Sequence, residues 1–219
     1  MKCYVITMLD NELSVEAAKK CIDSAKLHGI NAKIFKAITP KDNPAKILKE
    51  EGLPNHNILL DSHCSKPDPA ICCFLSHYFL WKKAIELNDT ILCLEHDAIV
   101  TKKLPLPLKH TGVCNLGKPS YGKYIIPKKA GTYKLFSKPN RHFPGTHAVL
   151  VSPNGAKRLI EQTKVRVGTP DLFLNKDDFP WLSETYPWPV ECDDDFTTIQ
   201  NELGCIAKHN YKKGNFKIL

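Results

Sequence analysis

Between Asp97 and Glu161 the sequence holds no acidic residue at all. It also has no apolar run long enough for a membrane span, no pair of cysteines at C-x-x-C spacing, no internal repeat and no low-complexity tract. Each absence excludes something. A bilayer-spanning helix needs about 20 predominantly apolar residues, so no transmembrane segment is expected. Without C-x-x-C there is no zinc ribbon and no thioredoxin-like redox pair to assign. There is no Walker loop, no G-x-G-x-x-G after the first strand and no G-x-S-x-G elbow, so the P-loop, dinucleotide and serine-hydrolase readings drop out. The opening "MKCYVITML" meets Asp10 at once and lacks a small-residue cleavage pattern, which reads as a first strand rather than a signal peptide.

What is present is an ordinary globular composition, 42% hydrophobic and 25% charged over 219 residues, enough chain for one good core. The charge is unevenly placed. Residues 98–160 carry twelve Lys and Arg and no acid, more than the whole net charge of +8, so the rest of the chain is net acidic. A strongly positive face is expected from that block, either a solvated surface or a surface for phosphates of a nucleotide or a nucleic acid. The nine cysteines are odd in number, and Cys72, Cys73 and Cys93 lie in apolar segments where a thiol serves as a small hydrophobe. A reducing, cytoplasmic location is the simpler expectation.

Read in order, "KCYVITML" is a strand, and "LSVEAAKKCIDSAKLHG" a helix with Ser14 as its cap and Gly29 as its stop. "NAKIFKAI" is a second strand that closes a β-α-β unit. Pro40, Pro44, Gly52 and Pro54 break the next stretch into loop with at most one short helix. After Pro69, Phe74, Tyr78, Trp81 and Ile85 recur at helical spacing. The strand "TILCLEHDAIV" follows. In the second half "KYIIP" and "THAVLVS" read as strands, "PNGAKRLIEQT" as a helix entered at Pro153, and "PDLFLN" as a short helix. Alternating strand and helix predicts an open, mostly parallel α/β sheet, whose ligands sit beyond the carboxyl ends of the strands.

Glu95-His96-Asp97 stand at such an end, after an apolar run. Residues two apart on a strand share a face, so the Glu95 and Asp97 carboxylates could converge on one hard divalent cation, Mn²⁺ or Mg²⁺, with His96 pointing elsewhere. The alternative is a carboxylate pair neutralised by lysines of the basic block.

The stretch "ICCFLSHYFLWKKAIELNDTILCLEHDAIV" resembles the central signature of glycosyltransferase family 25, a C-F-L-S-H-x-x-x-W helix followed by a strand ending in acids. The resemblance extends to "YVITML" and "KIFKAI" upstream and to "GTHAVLVSPNGAKRLIE" and "TPDLFL" downstream, and so covers most of the chain in order. It implies a GT-A-like fold in a single domain with two lobes, residues 1–110 binding the nucleotide sugar and 111–219 the acceptor. It also implies a sugar transferred from a nucleotide-diphosphate donor, such as a UDP-sugar, to a hydroxyl of a saccharide or glycoconjugate. By the same resemblance Thr7, Ala37, Ser76, His77 and Trp81 lie near the nucleotide-sugar site, although plain packing is the favoured role for Trp81 and a hydrogen-bonded core histidine is as good a role for His77. The family usually shows E-D-D where this chain has Glu95-His96-Asp97. If the outer residues are the ligands, the swap at His96 is harmless or adds a metal-compatible imidazole; if the middle acid is needed, the departure puts metal use in question.

Asp171, just after Pro170 at a helix start, is the candidate general base for the acceptor hydroxyl, with a simple cap as the bland alternative. Asp193, Asp194 and Asp195 are its rivals, and His147 and His209 are further pocket candidates. The basic block, interleaved with Tyr121, Tyr124, Tyr133, Phe136 and Phe143, has the make-up of a nucleic-acid groove, so a hydroxylated base in DNA is an alternative acceptor. A non-catalytic nucleotide-sugar or nucleic-acid binding module is the third reading.

Overall fold

In a computed structural model, residues 1–54, 67–105, 112–120, 126–135 and 141–193 are described. Strand β1 (Lys2–Thr7) leads into helix α1 (Glu12–Leu27) and strand β2 (Ala32–Lys36), the β-α-β unit expected from the sequence. Asn11, not Ser14, caps α1: its backbone is extended and its side chain accepts the Ser14 N–H at 3.0 Å. An Asn at that position satisfies an orphan amide of the first turn, which frees the Ser14 hydroxyl for other partners. Gly29 ends the helix as expected, in the left-handed conformation at φ 79° that suits a residue without Cβ.

The broken stretch that follows holds a 3₁₀ turn (Pro40–Asp42) and one helix, α2 (Pro44–Glu50). Helix α3 (Pro67–Glu86) begins before the predicted start. The strand expected over 90–100 is in fact two, β3 (Ile91–Glu95) and β4 (Ala98–Val100), with a turn at His96 and Asp97. Beyond it come β5 (Val113–Asn115), β6 (Gly131–Lys134), β7 (Ala148–Val151), α4 (Pro153–Thr163), α5 (Pro170–Phe173), β8 (Ser183–Tyr186) and β9 (Val190–Cys192). The predicted strand "KYIIP" lies outside the described residues for 123–125, and Ile126 and Pro127 are not in a strand.

The main sheet has the order β2-β1-β3-β7-β5-β8-β6. β1 pairs parallel with β2 and β3, and β5 parallel with β8, whereas β7 and β6 run against their neighbours. Five strands therefore point one way and two the other, the open, mostly parallel α/β sheet anticipated. β4 and β9 form a separate antiparallel ribbon.

Period-two alternation sorts the core. Cys3, Val5, Leu92 and Leu94 face α1, where Ala18, Cys21 and Ala25 receive them. Ile6, Ile91, Cys93, Val149 and Val151 face the other way, into a layer formed by Phe74, Leu75 and Trp81 of α3, Leu159 of α4 and Phe173 of α5. Trp81 stacks on Phe173, with centroids 5.5 Å apart and planes 21° apart. A fully buried side chain of this size stabilises the fold by roughly 1.5–3 kcal/mol through lost apolar surface, which fixes α3 and α5 against the sheet.

Candidate functional site

The register places the carboxyl ends of the parallel strands on one edge: Thr7 opposite Lys36, and Ile6 opposite Glu95. Alternation decides where Glu95, the last residue of β3, points: it shares the parity of Ile91 and Cys93, so it faces α3 and meets His77. His96 is already in the turn that follows, and there it meets Ser14 of α1.

Glu95 Oε1 accepts a hydrogen bond from His77 Nε2–H at 2.9 Å and one from the Thr146 hydroxyl at 2.8 Å. A carboxylate oxygen can only accept, so His77 carries its proton on Nε2 here. The His77 side chain is 1% exposed and that of Glu95 27%, so the acid reaches the surface and its histidine does not. Burial pushes the Glu95 carboxyl up, but the His77 bond and charge and the Thr146 hydroxyl outweigh it and hold the group below the ordinary carboxylate range. The sequence-based alternative, neutralisation by lysine, is not what the described residues show at Glu95: its ion pair is with His77.

The His96 Nδ1 lies 2.8 Å from the Ser14 hydroxyl, which also accepts the Met8 N–H at 2.9 Å. Burial lowers the basicity of His96, against the pull of Glu95. Asp97 sits in the turn and not on a continuous strand with Glu95, so the shared-face argument for the pair does not apply as stated. Even so, its charge acts on Cys21 of α1 and on Cys73 of α3 alike. Its carbonyl accepts the Asp193 N–H at 2.7 Å, which puts the first residue of the acidic triplet beside it; Asp194 and Asp195 lie outside the described residues, as does His209.

Asp171 lies in the far half of the chain, and its charge is felt here. Burial drives the Cys73 thiol well above its ordinary range, and the charges of Glu95, Asp171 and Asp97 push it further. Asp171 accepts the N–H of Leu172 at 3.0 Å, as a residue in a helical first turn does, and it bears on His142, whose basicity burial lowers. Its segment is anchored outside the site: Arg166 bonds Asp178, Arg141 bonds Asp177 at 2.8 Å, and Asn175 bonds Asp178 at 2.8 Å.

Of the remaining expected residues, Thr7 is buried, with its hydroxyl on the Val5 carbonyl, and its own carbonyl accepts the Ala37 N–H at 2.9 Å. Ser76 donates to the Cys72 carbonyl at 2.8 Å and accepts the Ile38 N–H at 2.9 Å, pinning the loop after β2 to α3. Trp81 is 0% exposed and lies in the core. His147 accepts the Glu95 N–H on its carbonyl at 3.0 Å, and its ring lies so close to Gly117 that a Cβ there would clash with it. Thr146 and His142 were not singled out by sequence reasoning, and Cys73 was read there only as a small hydrophobe. The signal for Cys73 was available, since it stands one helical turn before His77 on the same face.

Residues 2–112 match glycosyltransferase family 25, described as LPS biosynthesis protein. That range takes in His77, Glu95 and Asp97 and stops short of Asp171. No curated protein matches the chain. Solved structures similar to it include the inositol-1-phosphate CTP transferase from T. maritima, at 10% identity, covering 88% of this chain and 89% of that one, with a TM-score of 0.42. A glycosyltransferase involved in the glycosylation of the major capsid of PBCV-1 is similar at 12% identity, covering 74% of this chain and 67% of that one, with a TM-score of 0.35. The apo-form glycosyltransferase GlyE of Streptococcus pneumoniae TIGR4 is similar at 16% identity, covering 74% of this chain and 38% of that one, with a TM-score of 0.36.

Proposed function

This chain belongs to glycosyltransferase family 25, and from that premise we propose that it moves a sugar from a nucleotide-diphosphate donor to a hydroxyl of a saccharide or glycoconjugate. The observation that carries this reading is Glu95 at the carboxyl end of β3, held ionised by His77 and Thr146, with the charges of Asp97 and Asp171 felt at the neighbouring Cys73. Residues 1–110 serve the donor and 111–219 supply the acceptor side.

Glu95 and Asp97 are the donor-side acids. Their oxygens suit Mn²⁺ or Mg²⁺, and such an ion would neutralise charge developing on the nucleotide diphosphate as it leaves. His77 and Thr146 keep the Glu95 carboxylate charged and oriented. Ser76, by fixing Ile38, shapes the loop beyond β2 where the nucleotide enters, next to Thr7 and Ala37. Asp171 takes the proton of the acceptor hydroxyl, the step that makes that oxygen a nucleophile. Among the described residues no helix is long and apolar enough to cross a membrane, and the seven described cysteines are free thiols; we place the protein in the cytoplasm on that chemistry.

The reading is tested by incubating the protein with a panel of nucleotide sugars and following metal-dependent release of the nucleotide, with and without simple saccharides. One donor is expected to turn over, and Asp171→Asn to bind it normally while losing about 10²-fold in turnover. Failure of every donor to bind would leave only a non-catalytic fold. Normal turnover in the Asn variant would remove Asp171 from the mechanism.

A further inference from the structure

Cys73 and His77 project from the same face of α3, one turn apart, and Glu95 meets them from the end of β3. The Cys73 sulfur, a His77 ring nitrogen and a Glu95 carboxylate oxygen all lie within 4.8 Å of one another. We infer that Cys73, His77 and Glu95 form a resident site for a thiolate-accepting divalent cation of the Zn²⁺ class, distinct in chemistry from the hard-ion requirement of a donor diphosphate. This inference does not depend on sugar transfer; an ion resident here claims Glu95, and the hard ion of the donor is then left to Asp97.

Three features support it. First, thiolate, imidazole and carboxylate are the donor set that borderline-soft ions prefer, whereas Mg²⁺ seeks oxygen and water. Second, ligand atoms around a tetrahedral zinc lie roughly 3–4 Å apart, given bonds of about 2.0–2.3 Å, so closing the observed arrangement needs only small side-chain movement. Third, the three ligands come from two packed elements with a supporting partner already present: the Thr146 hydroxyl orients the Glu95 carboxylate, as outer groups do at metal centres. With three protein ligands, a fourth position is left to water.

The protons balance simply. Binding displaces the proton of the Cys73 thiol to solvent. His77 gives up the Nε2 proton now shared with Glu95, either to its own Nδ1 by tautomer exchange or to solvent, and so presents a lone pair. One or two protons are released per ion.

The test uses the full chain, reduced and stripped with a chelator, with no nucleotide sugar present. Titration with Co²⁺ should develop a near-ultraviolet sulfur-to-cobalt charge-transfer band that saturates at one equivalent and is displaced by Zn²⁺ but not by excess Mg²⁺. Cys73→Ser should abolish the band, and Cys72→Ser, altering the adjacent buried thiol, should retain it. His77→Asn should weaken Zn²⁺ binding by more than the roughly 100-fold typical of losing an outer-shell partner. Absence of the band in the unmodified protein overturns the proposal, and so does its survival in Cys73→Ser. The readout on the unmodified chain does not depend on any variant folding. A protein that binds cobalt through Cys73 yet turns over no donor would sink the transferase reading and leave the metal site standing.

Discussion

The charges of Glu95, Asp97 and Asp171, drawn from two distant stretches of sequence, all bear on the one thiol of Cys73, while the basic residues of 98–160 that the structure describes are spent outward. Lys128 and Lys129 are exposed, Lys118 pairs with Glu191 at 3.3 Å, Arg141 with Asp177 at 2.8 Å, and the Arg158 guanidinium lies 3.9 Å over the Trp181 ring. The Arg141–Asp177 pair, with side chains 67% and 51% exposed, is of the kind that contributes about 0–1 kcal/mol. A count of charges in the sequence makes the basic block the more conspicuous of the two. Their placement reverses that ranking: the Glu95 carboxylate is held charged by the buried His77 and by Thr146, an arrangement that chemistry can use, whereas the bases sit where water screens them.

The sharpest way to break this contrast is to discharge its centre. Glu95→Gln keeps the shape of the side chain and removes the charge that His77 and Thr146 hold in place. Stabilisation of a leaving diphosphate through a metal ligand is worth several kcal/mol. The variant should therefore lose about 10³-fold in transfer, measured as nucleotide release at saturating donor. A loss under tenfold would show that Glu95 is a structural partner of His77 and nothing more.

How much of this was legible beforehand differs between residues for physical reasons. The β-α-β unit, α3 and α4 follow from local periodicity and from punctuation by Gly29 and Pro153, which act over a few residues. The short strands β5, β8 and β9 owe their pairing to partners far along the chain, and three or four residues of pattern do not announce that. In the site, Glu95 was visible because an acid after four apolar residues has to be answered by something. What answers it was not: the partners are His77, eighteen residues earlier, and Thr146, fifty-one later. The break at His96-Asp97 escaped because the flanking apolar residues continue the strand pattern straight across it, even though Ala98 and Val100 leave the sheet to pair with β9 beneath α1.

A gentler probe of the acidic centre is pH. His142 is less basic than a free histidine, because burial disfavours its charged form more than Asp171 favours it. For a depressed histidine the folded state binds fewer protons than the unfolded state, so stability rises with pH between the two pKa values. This contribution is fully present above the unfolded value of about 6.5 and is lost as pH falls below it toward the lower folded value. Denaturant midpoints should therefore drop as pH is lowered from neutrality through that window, and His142→Gln should flatten part of the slope. An unchanged slope in the variant would show that His142 is solvated, and that the Asp171 wall is wetter than the Glu95 wall.

The smallest effect is expected on the basic side, and there a null result is informative. Lys128→Glu with Lys129→Glu reverses two exposed charges on the segment leading into β6, away from any ion pair the structure describes for them. Surface changes of this kind shift stability by about 0.5 kcal/mol or less. If the acceptor is a saccharide or glycoconjugate, nothing in the reaction releases counterions from this segment, so transfer should stay within about twofold of the unmodified protein and vary little with salt. A nucleic-acid acceptor makes the opposite demand: binding of a DNA duplex should fall log-linearly with salt at a slope of about −0.9 per phosphate contacted, and the double reversal should both weaken it and flatten that slope. Measuring duplex binding at two salt concentrations, with and without the reversal, separates the cases. A steep, lysine-dependent slope would make the basic block an acceptor surface in its own right and undo the contrast drawn above. A raised donor KM with no duplex binding would instead assign these lysines to the donor phosphates. Neither change, the expected result, leaves the site to the three acids and the groups that hold them.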